Sequence, residues 1–99
     1  MRTKTRKQTK DALAQQILQQ VLQQTGFGPG VLAGDRSPGN VAARNQITAR
    51  MRACVHPECA QLSLRRIGSL LGIDASVVRW RIKNAQPEWL QPWHFGGAA

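Results

Sequence analysis

Leu62-Ser63-Leu64-Arg65-Arg66-Ile67-Gly68-Ser69-Leu70-Leu71-Gly72-Ile73-Asp74-Ala75-Ser76-Val77-Val78-Arg79-Trp80 is the stretch from which the rest of the chain can be read. Ser63 can cap a short helix over 64–71, with Leu64, Ile67, Leu70 and Leu71 turned inward. Gly72 stands where a helix ends in a left-handed residue, and Asp74 can cap a second helix over about 75–85. That second helix carries Val77, Val78, Trp80 and Ile82 among the basic Arg79, Arg81 and Lys83, and Pro87 closes it. A helix-turn-helix needs a small residue where its helices cross most closely, a turn residue tolerant of positive φ, an apolar turn residue, and an apolar residue packing back from the second helix. Gly68, Gly72, Ile73 and Val78 supply these in order, so the spacing predicts a helix-turn-helix over about 63–85. The blander reading of the same spacing is a plain helical corner with no role toward DNA.

Upstream, Asn40 can cap a long helix over 41–55 whose apolar stripe is Ala43, Ile47, Met51 and Cys54 or Val55. Arg44, Thr48 and Arg52 share a flank of it at i, i+4, i+8, with Arg50 nearby; Pro57 ends it and 56–62 is a linker. Residues 26–40 are dense in Gly and Pro, which leaves room only for a short helical turn over Pro29 to Ala33, pinned by Val31 and Leu32, and an exposed loop bearing Arg36. Before Gly26, the residues Leu13, Ala14, Ile17, Leu18, Val21 and Leu22 alternate with Gln15, Gln16, Gln19, Gln20, Gln23 and Gln24 at helical period, which predicts an amphipathic helix with a solvated glutamine face. Residues 1–10 hold five Lys or Arg and no large apolar residue beyond Met1, and read as a disordered basic arm. No strand is expected. The chain is read as all-α: a flexible basic arm over 1–10, a compact helical domain over 11–86 and an aromatic, Pro-bearing tail over 87–99.

With 99 residues the chain is one small domain, and 14 Lys plus Arg against 5 Asp plus Glu give a net charge of +9. Such an excess favours a polyanionic partner, of which nucleic acid is the commonest. Five acidic residues leave little for a carboxylate-rich metal or glycosidase site. Apolar runs of three or four residues exclude a transmembrane helix, and two Cys cannot build a disulfide scaffold, so the cytoplasm is the expected location. Nine Lys and Arg remain after residue 10, from Arg36 through the long helix and the helix-turn-helix to Lys83.

In a helix-turn-helix the N-terminal end of the second helix meets base edges in the major groove. Asp74, Ala75, Ser76 and Arg79 are then the base-facing set, with Arg79 able to bond guanine bidentately and Asp74 also serving as the helix cap. Arg65 and Arg66 open the first helix, where they would meet phosphates. The order of an amphipathic helix, a Gly-rich turn, an Arg-bearing loop, a long helix opening Val41-Ala42-Ala43-Arg44, and then Ser63-Leu64, Ile67-Gly68, Leu71-Gly72, Asp74, Ser76 and Val78 resembles the C-terminal DNA-binding domain of the bacterial replication initiator DnaA, over about residues 11–85. The resemblance implies a Trp-repressor-like helix-turn-helix. It also implies base contacts from the run that here reads Asp74-Ala75-Ser76-Val77-Val78, with Ala75 and Val77 where the family carries His and a second Thr. It further implies a minor-groove role for Arg36 and a DNA approach for Gln46. Arg44, Arg52, Arg81 and Lys83 complete the expected backbone-contacting set. Nothing resembles the initiator's ATPase, since no Gly-x4-Gly-Lys-Ser/Thr loop is present.

Cys54, His56, Glu58 and Cys59 lie within six residues, with His94 distant, but they lack the paired spacing of a zinc site, so free thiols are expected and no metal or cofactor is implied. Trp89, Trp93 and Phe95 could stack on bases; tail aromatics more often fold back onto an apolar groove. No arrangement of Ser, His and acid supports catalysis, and no small-molecule substrate is implied. The expected function is sequence-specific binding of double-stranded DNA by a transcriptional regulator or replication accessory factor, of a kind that phages and other mobile elements use. One helix-turn-helix covers about half a site, which leaves a homodimer open. The alternative is a small inhibitor or adaptor that sets the same scaffold against an acidic protein surface, a reading favoured by the apolar Ala75 and Val77.

Overall fold

The computed structural model describes residues 2–28, 30–33, 38–56 and 61–96, with side chains from residue 12 onward except those of residues 33 and 38. Five α-helices follow in order: α1 (Arg2–Thr25), α2 (Gly30–Ala33), α3 (Pro38–Ala53), α4 (Leu64–Leu71) and α5 (Ala75–Lys83). A 3-10 turn over Pro87–Leu90 and two short strands, β1 (Cys54–Val55) and β2 (Trp93–His94), complete the described architecture. The domain is all-α in class, and no helix among the described residues is long and apolar enough to cross a membrane.

The helix α3 is the hub. It packs against α1, α2, α4, α5 and the 3-10 turn. Accordingly its burial is wider than one stripe: Ala43, Ile47, Met51 and Ala53 are covered, and so are Asn45, Thr48 and Ala49. A helix buried on most sides is the expected centre of a small bundle. From α1 come Ala14, Ile17, Leu18, Val21 and Leu22, while the glutamines opposite stay in solvent apart from a half-buried Gln20. Ile67 and Val78 close the core from α4 and α5.

Local chemistry sets the element ends. Gly26 takes φ +77° after α1, and its N–H donates to the Leu22 carbonyl. The Ser63 hydroxyl accepts from the Arg66 N–H, and Gly72 closes α4 at φ +74°. Between α4 and α5 the backbones come very close. A Cβ on Gly68 would stand 2.5 Å from the Ile73 carbonyl oxygen and 3.4 Å from Val78 Cγ2. Only a hydrogen fits there, and Gly68 also accepts the Ile73 N–H at 2.9 Å. The short turn Gly72–Asp74 therefore holds α5 directly against α4.

Several expectations are corrected. Residues 2–10, read as a disordered arm, belong to α1. Lys, Arg and Gln are good helix formers and no Gly or Pro precedes Gly26, so a helix anchored by packing from Ala14 to Leu22 extends back at little cost. Asn40 does not cap α3, which starts at Pro38; proline's fixed φ suits the first helical position. Strands do occur: α3 stops at Ala53, and Cys54–Val55 pairs in parallel with Trp93–His94. The segment after residue 86 is consequently no separate tail. The Phe95 N–H donates to the Val55 carbonyl, Trp93 Nε1 donates to the Arg50 carbonyl at 2.6 Å, and the Gly96 N–H donates to Gln20 Oε1 on α1. Trp93 and Phe95 pack against the core, and the Phe95 ring lies 4.6 Å from that of buried His56.

Gly68→Ala tests the close approach of α4 and α5. Since the blocking atom is a backbone carbonyl, the substitution is expected to cost about 2 kcal/mol or more, read as a drop in the urea midpoint. A wild-type midpoint in the variant would contradict the tight crossing.

Candidate functional site

The helix α5 divides cleanly into an anchored side and an open side. Val78 is fully buried and Ile82 packs against the core. Ser76, Arg79 and Lys83, spaced to share one face, are exposed, as are Val77 and Trp80. Sequence periodicity grouped Val77, Val78, Trp80 and Ile82 as apolar residues of one helix; Val77 at 38 % and Trp80 at 54 % exposure instead face outward.

At the start of α5 the Asp74 carboxylate caps the helix. Its Oδ2 accepts the Ser76 N–H at 2.9 Å and the Ser76 hydroxyl at 2.7 Å. These two bonds, the hydroxyl's first, hold the Asp74 carboxyl below the usual carboxylate range against a small opposing effect of desolvation. Asp74 and Ser76 of the expected base-facing set are thus joined to each other, Ala75 is half-buried, and Arg79 extends from the open face one turn further on. At the other end Asn84 Nδ2 donates to the Trp80 carbonyl at 2.8 Å, and Arg81 and Lys83 occupy the last turn, where cations suit the helix dipole.

The arginines expected at the DNA backbone divide by what they also hold. Arg44 Nε donates to the Val31 carbonyl at 2.9 Å, tying α2 to α3. Arg52 Nη1 donates to the Leu62 carbonyl, and Gln61 Nε2 returns a bond to the Arg52 carbonyl, so this pair fastens the segment leading into α4. Thr48, read as part of a flank, is fully buried; its hydroxyl donates to the Arg44 carbonyl at 2.8 Å and accepts from Arg81 Nη1 at 3.4 Å. Arg81 is held below its ordinary pKa, first by partial burial and then by the neighbouring positive charge of Arg44. Arg65 is exposed and Arg66 half-buried in the first turn of α4, at the positive end of that helix dipole. Two cations there oppose the dipole, and a phosphate would relieve both. Gln46 is half-buried on α3. Arg36 lies outside the described residues.

Between α3 and α5 opens a cleft of about 330 Å³ lined by Val41, Arg44, Asn45, Val77, Trp80 and Arg81. Sequence reading named both arginines of this cleft, but not Trp80 as part of a surface. The signal available was its position: Trp80 follows buried Val78 by two residues, and on a helix that offset turns it away from the core. Cys54 is buried and His94 is exposed, while Glu58 and Cys59 lie outside the described residues. Among the described residues no three His, Cys, Asp or Glu side chains gather as metal ligands.

Comparison with family models, with curated proteins and with solved structures finds no match to this chain.

The lowered Asp74 pKa fixes a sign. A depressed folded-state pKa contributes stability above the unfolded pKa, and that contribution is lost as pH falls through the folded value. Asp74→Ala is therefore expected to lower Tm at neutral pH, with the gap to wild type narrowing as pH falls below the usual carboxylate range. A gap of constant size across that range would show that the charge on Asp74 does not contribute.

Proposed function

We propose that the chain is a sequence-specific double-stranded DNA-binding protein, acting in transcription regulation or as a replication accessory factor, in which α4 and α5 serve as a helix-turn-helix and α5 is the recognition helix. The observation that carries this reading is the open face of α5, where Ser76, Arg79 and Lys83 stand exposed on a helix fastened behind by Val78. Among the described side chains only Asp74 and Glu88 are acidic, against eight Lys and Arg from Arg44 to Lys83. The surface thus carries little that repels phosphate.

The roles follow from chemistry. Arg79 reads a base edge, guanine being its bidentate partner. Ser76, whose hydroxyl proton is engaged by Asp74, meets DNA as an acceptor. Arg65, Arg66, Arg44, Arg81 and Lys83 neutralise phosphates and set register without reading sequence. The resemblance to the DnaA C-terminal domain supports base contact by Ser76 at the start of α5, with apolar Ala75 and Val77 giving a base preference different from that family's. A cytoplasmic, nucleoid-associated location accompanies this function.

Selection from random duplex DNA tests it. An enriched motif is expected, and its symmetry reports whether a homodimer binds. Arg79→Ala should cost about 1–3 kcal/mol on that motif and little on random duplex, whereas Arg65→Ala should weaken both and lower the salt slope by about 1. Absence of enrichment would overturn the reading. Exposed Val77 and Trp80 favour one alternative, docking on an acidic protein surface; a nuclease-resistant protein complex without DNA enrichment is its signature.

A further inference from the structure

The cleft between α3 and α5 sets an apolar wall, which contact with duplex phosphates does not use, beside Arg44 and Arg81. Its apolar lining is Val41, Val77 and Trp80; its polar lining is Arg44, Arg81 and Asn45, with no acidic residue among the six. Trp80 is the most exposed large apolar side chain among the described residues. Both guanidinium groups are held in place by bonds to the fold, Arg44 to the Val31 carbonyl and Arg81 to the Thr48 hydroxyl. They stand near enough for the charge of one to disfavour that of the other. Two like charges fixed beside an apolar wall call for a ligand that is anionic at one end and flat and apolar at the other.

We propose that this cleft holds one unpaired nucleotide of a nucleic-acid strand, with its base stacked on Trp80 and its phosphate between Arg44 and Arg81. An anion between the two guanidiniums replaces their repulsion by two charge-assisted hydrogen-bonding contacts. A base rather than another apolar group is selected because the indole offers a flat ring, and every base has a matching face. An unpaired base is required because bases within a duplex are covered on both faces by their neighbours and present only their edges. Asn45, whose amide both donates and accepts, borders the place of the base edge. The inference deepens the DNA-binding reading by extending it to a strand end, a gap or an opened step next to the duplex held by α5.

The test is fluorescence anisotropy of the full chain with a labelled oligothymidine strand and, separately, with a duplex of equal length. The wild-type protein is expected to bind the strand. Trp80→Ala should weaken that binding by roughly 5- to 150-fold, the range for one stacked base, with Trp80→Phe restoring part of it. Duplex affinity should change by less than about two-fold with Trp80→Ala, and the wild-type Tm should be retained, because Trp80 is exposed. Equal strand affinity of the wild-type and Trp80→Ala proteins, or equal losses on strand and duplex, would overturn the proposal. Duplex binding without strand binding would also overturn it and leave the DNA-binding reading standing. Strand binding that depends on Trp80, without duplex binding, would support the cleft and overturn the duplex reading. Binding to neither would end both.

Discussion

Where α4 passes the turn that follows it, the carbonyl oxygen of Ile73 lies 2.5 Å from the place a Gly68 side chain would take. The helix and the turn touch through backbone there, and much else depends on that contact. It allows the short turn Gly72–Asp74 to close with Gly72 left-handed and Asp74 capping α5. It brings Val78 fully into the core beside Ile67 and so fixes the rotation of α5 about its own axis. Once that rotation is set, Ser76, Arg79 and Lys83 have no direction but outward, and Arg81 reaches Thr48 on α3. A larger residue at Gly68 would move these groups together, because packed interiors shift as units rather than absorb a methyl group locally.

Around that contact α3 acts as the common wall. Its arginines show how one residue type serves fold and surface at once. Arg44 and Arg52 each bond a carbonyl of a neighbouring segment, which holds α2 and the entry to α4 while keeping positive charge at the rim of the domain. The Arg50 carbonyl accepts the Trp93 indole N–H, so the far end of α3 is closed by the C-terminal segment. A guanidinium fixed in this way has already lost much of its rotational freedom, and a ligand that meets it does not bear that entropic cost again.

Much of the local architecture was legible in the residues. The bounds of α4 follow from Ser63 and Gly72, and the start of α5 from Asp74, because a cap acts through its own side chain or φ on groups within one turn. The inward residues of α1 follow from its period for the same reason. The candidate site was only partly legible. Arg79, Arg81 and Arg44 could be named from charge and spacing, but a hydropathy pattern counts Val77 and Trp80 as core residues, and only the anchoring of Val78 shows that they face out.

What the sequence determined by itself was the set of helices, most of their ends, the crossing at Gly68 and the excess of positive charge. Each of these depends on residues close in the chain or on composition alone. Only the tertiary structure decided that Cys54–Val55 pairs with Trp93–His94, that Trp93 reaches the Arg50 carbonyl 43 residues away, and that Arg44 and Arg81 flank one cleft. Such pairings close long loops against chain entropy, and which of them form depends on the whole core assembling around α3 rather than on any pattern within a few turns of chain.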